Sequence, residues 1–177
     1  MKIKYLVVLA LLSPTLTFAK GINVTKDEFI SEFCKYLNNP EVKTETKICP
    51  VKIKQTGSDS DSFPQIGYSF KIPNGSSVSF GVDKKTKKVT GVSFEHSTDI
   101  AGSDDVMQTR YAIISTIDND LYKNHDEDFY NLISARKTMR AGMKTPVEHM
   151  SLEHNGIHYQ YTYDDMDSDF SFQIENQ

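Results

Sequence analysis

The chain is most informative at first through what it lacks. After the opening apolar run from Tyr5 to Leu12 there is no second long hydrophobic stretch, so no other segment has the roughly 20 apolar residues a helix needs to cross a bilayer. Asp and Glu outnumber Lys and Arg by 24 to 20, which argues against nucleic-acid binding, where phosphate neutralisation needs grouped cations. There is no Gly-x-Ser-x-Gly elbow, no phosphate-cradling loop and no Cys-x-x-C spacing, so no local motif announces a nucleophile or a redox pair. Triads assembled from distant residues are not excluded by this. Internal repeats and low-complexity tracts are absent too, so one domain over 20–177 is the economical expectation.

The N-terminus carries Lys2 and Lys4, then the apolar run of about eight residues, then Thr17-Phe18-Ala19, small at −3 and −1. This is the layout of a cleavable secretory signal over 1–19, and it predicts a product released to the periplasm or the extracellular space. Lys20 stands at the expected +1 position, so no new N-terminal cysteine is available for lipid attachment. No membrane span is expected after cleavage.

Only two cysteines are present, Cys34 and Cys49, and in an exported protein such a pair is expected to be a disulfide. Charge is unevenly distributed. Residues 20–100 hold 12 basic and 10 acidic residues, whereas residues 101–177 hold 6 and 14. The acidic second half suits a basic protein partner, and the acidic turn of Asp164, Asp165, Asp167 and Asp169 is the candidate contact.

Thr25-Lys26-Asp27-Glu28 reads as a capping box, followed by Phe29, Ile30, Phe33 and Leu37 at helical spacing. A helix is expected to stop near Asn38-Asn39-Pro40. Val51 and Ile53 alternating with lysines predict a short edge strand. Ile66 to Ile72 and Val78 to Val82 predict a hairpin with an odd-numbered loop, pairing Ile72 with Val78, Phe70 with Phe80 and Tyr68 with Val82. Val89 to Phe94 is the next strand, with a bulge at Gly91.

Ser103 caps a predicted helix whose buried stripe is Val106, Ile113, Ile114, Ile117 and Leu121. A second helix is predicted from about Asp126 to Ala141, capped by Asn124 or Asp126. Asn155-Gly156 predicts a two-residue hairpin pairing His154 with Ile157 and Leu152 with Tyr159. The alternation of Phe170, Phe172 and Ile174 reads as a last strand. Helix, three to four strands, two helices and three strands with tight turns imply an α+β fold, an antiparallel sheet packed against helices.

No metal or cofactor is expected. Asp165-x-Asp167-x-Asp169 fails as a calcium loop because Phe170 and Asn176 stand where Gly and Glu are needed. His154 and His158 have i, i+4 spacing, but the hairpin register puts them on opposite faces, and Glu153 opposite His158 reads as a charge pair.

The segments "INVTKDEFISEF", "VTGVSF", "IHYQYTYDD" and "FSFQIE" give the chain a layout that resembles small periplasmic proteins of enteric bacteria of no established function. The resemblance implies a Gram-negative periplasmic setting and brings no site residues. The leading functional expectation is a non-enzymatic protein-binding factor, of the kind that acts as an immunity or inhibitor protein against an envelope-acting toxin or hydrolase. A small-ligand carrier and a hydrolase without a recognisable motif are the alternatives.

Overall fold

Helix α1, Lys26–Leu37, begins on a complete capping box. The Thr25 amide donates to Glu28 Oε2 at 2.8 Å, and the Glu28 amide donates to Thr25 Oγ1 at 3.3 Å. The structure, a computed structural model, describes residues 21–57, 62–97, 100, 103–124, 147–164 and 169–176. The predicted helix over 126–141 therefore lies outside the described residues.

The helices of the described residues are α1, α2 (Asp104–Ile117) and α3 (Asn119–Asn124). The strands are β1 (Lys54–Gln55), β2 (Gln65–Lys71), β3 (Ser77–Asp83), β4 (Val89–Ser97), β5 (Val147–His154), β6 (Ile157–Asp164) and β7 (Asp169–Asn176). They form one sheet in the order β1-β2-β3-β4-β7-β6-β5, antiparallel at every pairing. The fold is thus α+β, as expected. It consists of two meanders, β1 to β4 and β5 to β7, joined at the β4–β7 seam.

All three helices cover the same sheet face. Phe29 packs on Phe80 with ring centroids 5.1 Å apart, and Phe33 on Phe70 at 5.3 Å. From α2, Val106, Ala112, Ile113 and Ile114 are fully buried, and Phe94, Tyr159, Tyr161 and Ile174 meet the helix layer from the strands. Each large side chain buried this way contributes roughly 1.5–3 kcal/mol of transfer free energy. Among the described residues no helix is long and apolar enough to cross a membrane.

Three expectations need correction. The predicted strand at Val51–Lys54 shrinks to Lys54–Gln55, and Ile53 is 38 % exposed rather than on a buried face. Cys49 is buried beside α1, so residues 50–53 are spent travelling from the helix layer to the sheet edge. The β2–β3 hairpin keeps the expected faces and a five-residue loop, but its register differs by one pair of residues. Phe70 pairs with Val78 and Tyr68 with Phe80. Asn74 decides this, because its side chain accepts from the Ser76 amide at 3.0 Å and the Ser76 hydroxyl at 2.7 Å, while the Ile72 amide bonds Ser76 O at 2.9 Å.

Leu121 does not extend the α2 stripe; it belongs to α3, after a break at Asp118 (φ −140, ψ 77). Asn124 is the last described residue of α3, and the helix it was expected to cap lies outside the described residues. Elsewhere the local signals hold. Ser103 caps α2 through the Val106 amide. Pairing slips from Gly81–Gly91 to Val82–Val89, which leaves Thr90 as the extra residue of a bulge beside Gly91. The β5–β6 register is the predicted one, and Asn155 (φ 53) and Gly156 (φ 75) supply the two positive φ angles its two-residue turn demands.

Candidate functional site

Three polar constellations stand out among the described residues: a carboxylate–histidine corner, a buried arginine cluster and the sheet face opposite the described helices.

The corner forms where α2 ends. Asp118 is 5 % exposed, and every bond its carboxylate makes is to a different element. One oxygen caps α3 through the Leu121 amide at 3.1 Å. The other accepts from the Tyr159 hydroxyl at 3.0 Å and lies 2.5 Å from His154 Nδ1. An ionised carboxylate only accepts, so Nδ1 carries the proton that is donated to Asp118. Nε2 lies 3.5 Å from Asp120 Oδ2. Asp120 is in turn held by Asn124, whose amide donates at 2.6 Å, and by Asn155 at 3.4 Å.

Burial, and then the charge of Asp118, push the Tyr159 phenol well above its ordinary range. Beside the corner lies a cleft of about 420 Å³ lined by Asn23, Asn119, Lys123 and Asn124 among others. Thr116 also lines it, but its hydroxyl donates to the Ala112 carbonyl of its own helix at 2.7 Å. The corner can therefore orient an imidazole and present Nε2 beside a carboxylate.

Arg110 of α2 is 1 % exposed and ties β4 to β6. Its Nη2 lies 2.6 Å from His96 Nε2 and donates to the Tyr161 hydroxyl at 2.8 Å, with the guanidinium carbon 4.9 Å from the Tyr161 ring centre. His96 Nδ1 faces Ser97 O at 3.1 Å, so Nε2 is the acceptor for Arg110. Asp105, also fully buried, accepts from the amides of Glu45 and Thr46 and from the Thr46 hydroxyl. These groups hold the helix layer in place.

The opposite sheet face is covered by none of the described helices. Two cross-strand rows run over it. One reads Glu153–His158–Glu175–Gly91–Gly81–Gly67, and the next Ser151–Gln160–Gln173–Ser93–Ser79–Ser69. The three glycines floor a shallow trough of about 570 Å³. A Cβ at Gly81 would come within 2.8 Å of Thr90 Oγ1 and 2.9 Å of Gln65 Oε1, so glycine there lets the polar side chains close over the strand. Glu95, Glu153 and Glu175 are exposed on the β4–β7–β6–β5 half, and His158 faces Glu153 at 3.7 Å, the predicted charge pair.

Of the residues singled out by sequence, Cys34 and Cys49 come together with their sulfurs 2.11 Å apart and Cα atoms 5.6 Å apart, at disulfide distance. Asp164 and Asp169 form the last backbone pair of the β6–β7 ladder. Asp165 and Asp167 lie outside the described residues. His154 and His158 are on opposite faces, as expected, but the partners of His154 come from the α2–α3 corner, which sequence spacing did not point to. The available signal was Asp118-Asn119-Asp120, hidden because Ile117 and Leu121 keep helical spacing across it. Comparison of the chain with protein-family models, with curated proteins and with solved structures returns no match.

Proposed function

We propose that the protein is an exported, non-enzymatic protein-binding factor that receives a basic partner on the sheet face that none of the described helices covers. An immunity or inhibitor role against an envelope-acting toxin or hydrolase is the form of this reading that fits a small exported acidic domain. The observation that carries it is the chemistry of the face itself. Ser and Gly dominate its centre, and such residues lose little side-chain entropy when a partner covers them, unlike Lys or Glu. Six inter-strand spacings of about 4.8 Å and seven residues of strand give a surface of roughly 29 by 23 Å. That area approaches the ~800 Å² that each partner contributes to a standard interface.

Charge complementarity on the C-terminal half of the face supports a basic occupant there, with Lys54 and Lys71 at the opposite, β1–β2 end. The exposed carboxylates of Glu95, Glu153 and Glu175 stand on the C-terminal meander and its seam. Gly91 pairs directly with Glu175, so a Lys or Arg stem laid along the glycine trough would bring its charged head to that carboxylate. The test compares immobilised wild type with the face variant E95K/E175K in envelope extract at low and high salt. The same protein retained by the wild type, lost from the variant and weakened by salt supports the reading. Equal retention by both, or none by either, refutes it.

A second reading, a carrier of a small polar ligand, is favoured by the amide-lined cleft beside α3. Native mass spectrometry of freshly isolated protein checks it. A bound small molecule displaced by N119A/N124A supports the carrier, and ligand-free protein throughout argues against it.

A further inference from the structure

We propose that the sheet face opposite the described helices also receives a second copy of this chain, in a weak two-fold dimer that a stronger partner displaces. The inference rests on the reading of this face as a binding surface, and it adds the state in which that surface is held when no partner is present.

The observation is the arrangement of side chains about β3. Three adjacent rows cross β2, β3 and β4 on this face. The first is Gly67, Gly81 and Gly91, and the second is Ser69, Ser79 and Ser93. The third is Lys71, Ser77 and Glu95, with both charged side chains exposed. Side-chain bulk therefore matches on the two sides of β3, whereas charge changes sign. One strand further out the reversal repeats. Exposed Lys54 of β1 pairs with Ser69, and exposed Glu175 of β7 pairs with Gly91.

This pattern is what an isologous interface needs, because a two-fold axis brings one side of a patch onto the other. An axis along β3 that sets two copies face to face carries β2 over β4 of the second copy, and β1 over its β7. Lys71 of each copy then stands over Glu95 of the other. Lys54 of each copy comes over β7, one row from Glu175. Packed sheets stand about 10 Å apart, a gap that a Lys and a Glu side chain together span. Aligned sheets cross at about 30°, and one strand from the axis this offsets the Lys71–Glu95 pair by only about 2–3 Å. An axis along β4 would instead set Glu95 over itself, which like-charge repulsion opposes.

The overlap runs from β1 to β7, four inter-strand spacings of about 4.8 Å by seven residues of strand. That is roughly 440 Å² per copy, about half of the ~800 Å² in a standard interface. The dimer therefore belongs to the weak class that dissociates on dilution. Glu153 on β5 stays outside the overlap, where a basic partner still meets a carboxylate.

The experiment is sedimentation equilibrium of the purified protein over protein concentrations on the order of 10 μM to 1 mM, the range of weak association, at low and high salt. Wild type is compared with K71E, E95K, K71E/E95K and an equimolar mixture of K71E with E95K. Both positions are exposed, and circular dichroism checks that each variant is folded. Wild type should dimerise reversibly, less so in high salt. K71E and E95K alone should each weaken self-association by about tenfold or more, since each sets like charges against each other twice across the axis. The mixture, and the double variant alone, should recover it. Wild type that stays monomeric throughout overturns the proposal, and so does a dimer indifferent to both single variants. Failure of the mixture to recover association also overturns it. Monomeric wild type that still retains a basic envelope protein overturns the dimer alone, whereas a dimer without such retention overturns the partner reading alone.

Discussion

Asp118→Ala should be among the most damaging single substitutions in this protein. Three bonds are lost at one buried carboxylate. Removing a helix cap costs about 1 kcal/mol. Hydrogen bonds to a charged group contribute about 1.5–3 kcal/mol each, and those from the Tyr159 hydroxyl and His154 Nδ1 are both of this kind. The simple sum is about 4–7 kcal/mol. Because the bonds share one carboxylate, their losses do not add in full, so the low end, about 4 kcal/mol, is the expected cost. For a chain of this length that corresponds to a fall in Tm of about 8–16 °C.

Asp118→Asn should cost about half as much. Its single oxygen can serve Tyr159 and His154 without charge, but its amide then faces the Leu121 N–H, donor against donor. Urea denaturation followed by circular dichroism measures both variants. A double-mutant cycle isolates the mechanism: in D118A the Tyr159 hydroxyl is a buried orphan, so adding Tyr159→Phe should recover about 1.5 kcal/mol relative to additivity. A D118A cost below about 1 kcal/mol, or strict additivity with Y159F, would refute the assignment of Asp118 as the tie between α2, α3 and β6.

The disulfide and the buried phenol give two further outcomes. Reduction of the Cys34–Cys49 pair, or C34S/C49S, frees a loop with a sequence separation of 15 and should lower unfolding free energy by about 3 kcal/mol; an unchanged urea midpoint under reductant would contradict this. Tyr159 is held neutral in the fold by burial, whereas an unfolded phenol titrates near 10. Its contribution is therefore fully present below about pH 10 and is lost as pH rises above it, by about 1.4 kcal/mol per pH unit. Y159F should remove that slope, and equal alkaline slopes in wild type and variant, measured by urea titration between pH 9 and 11, would count against it.

Features decided by neighbouring residues were legible in the sequence. The Thr25 capping box, the Ser103 cap and the Asn155-Gly156 turn each need only three or four consecutive residues to specify them, and each is present. The β2–β3 register shows where this stops. Alternation fixes which face is apolar, but a slip of two residues preserves the faces, and the Asn74 side chain settles the remaining choice. The short β1 was misread because the destination of its chain depends on Cys49 being held at α1. Asp118 and His154 lie 36 residues apart, and nothing in either local pattern names the other. The acidic-turn contact rests on residues that include Asp165 and Asp167, outside those described, so its weight falls on the exposed Glu95, Glu153 and Glu175 instead.

The position of α2 explains why so much buried polarity gathers along one helix. The two meanders meet only at β4–β7, a seam with no hairpin of its own, and α2 lies on the chain between them. A purely apolar helix could slide on the sheet at little cost, because dispersion and burial are not directional. Hydrogen bonds are directional. Asp105 at its start binds the 45–46 segment that leads from α1 toward the first meander. Arg110 in its middle reaches β4 and β6, one strand on either side of β7 at the seam. Asp118 at its end binds the β5–β6 hairpin and starts α3. Three fixed points along 14 residues leave α2 one position and one rotation, and they set the meanders in register from the helix side. The polar groups that matter for architecture are therefore spent on the covered face. The face that none of the described helices covers is left with short side chains at its centre, the carboxylates of Glu95, Glu153 and Glu175 toward one end and Lys54 and Lys71 toward the other.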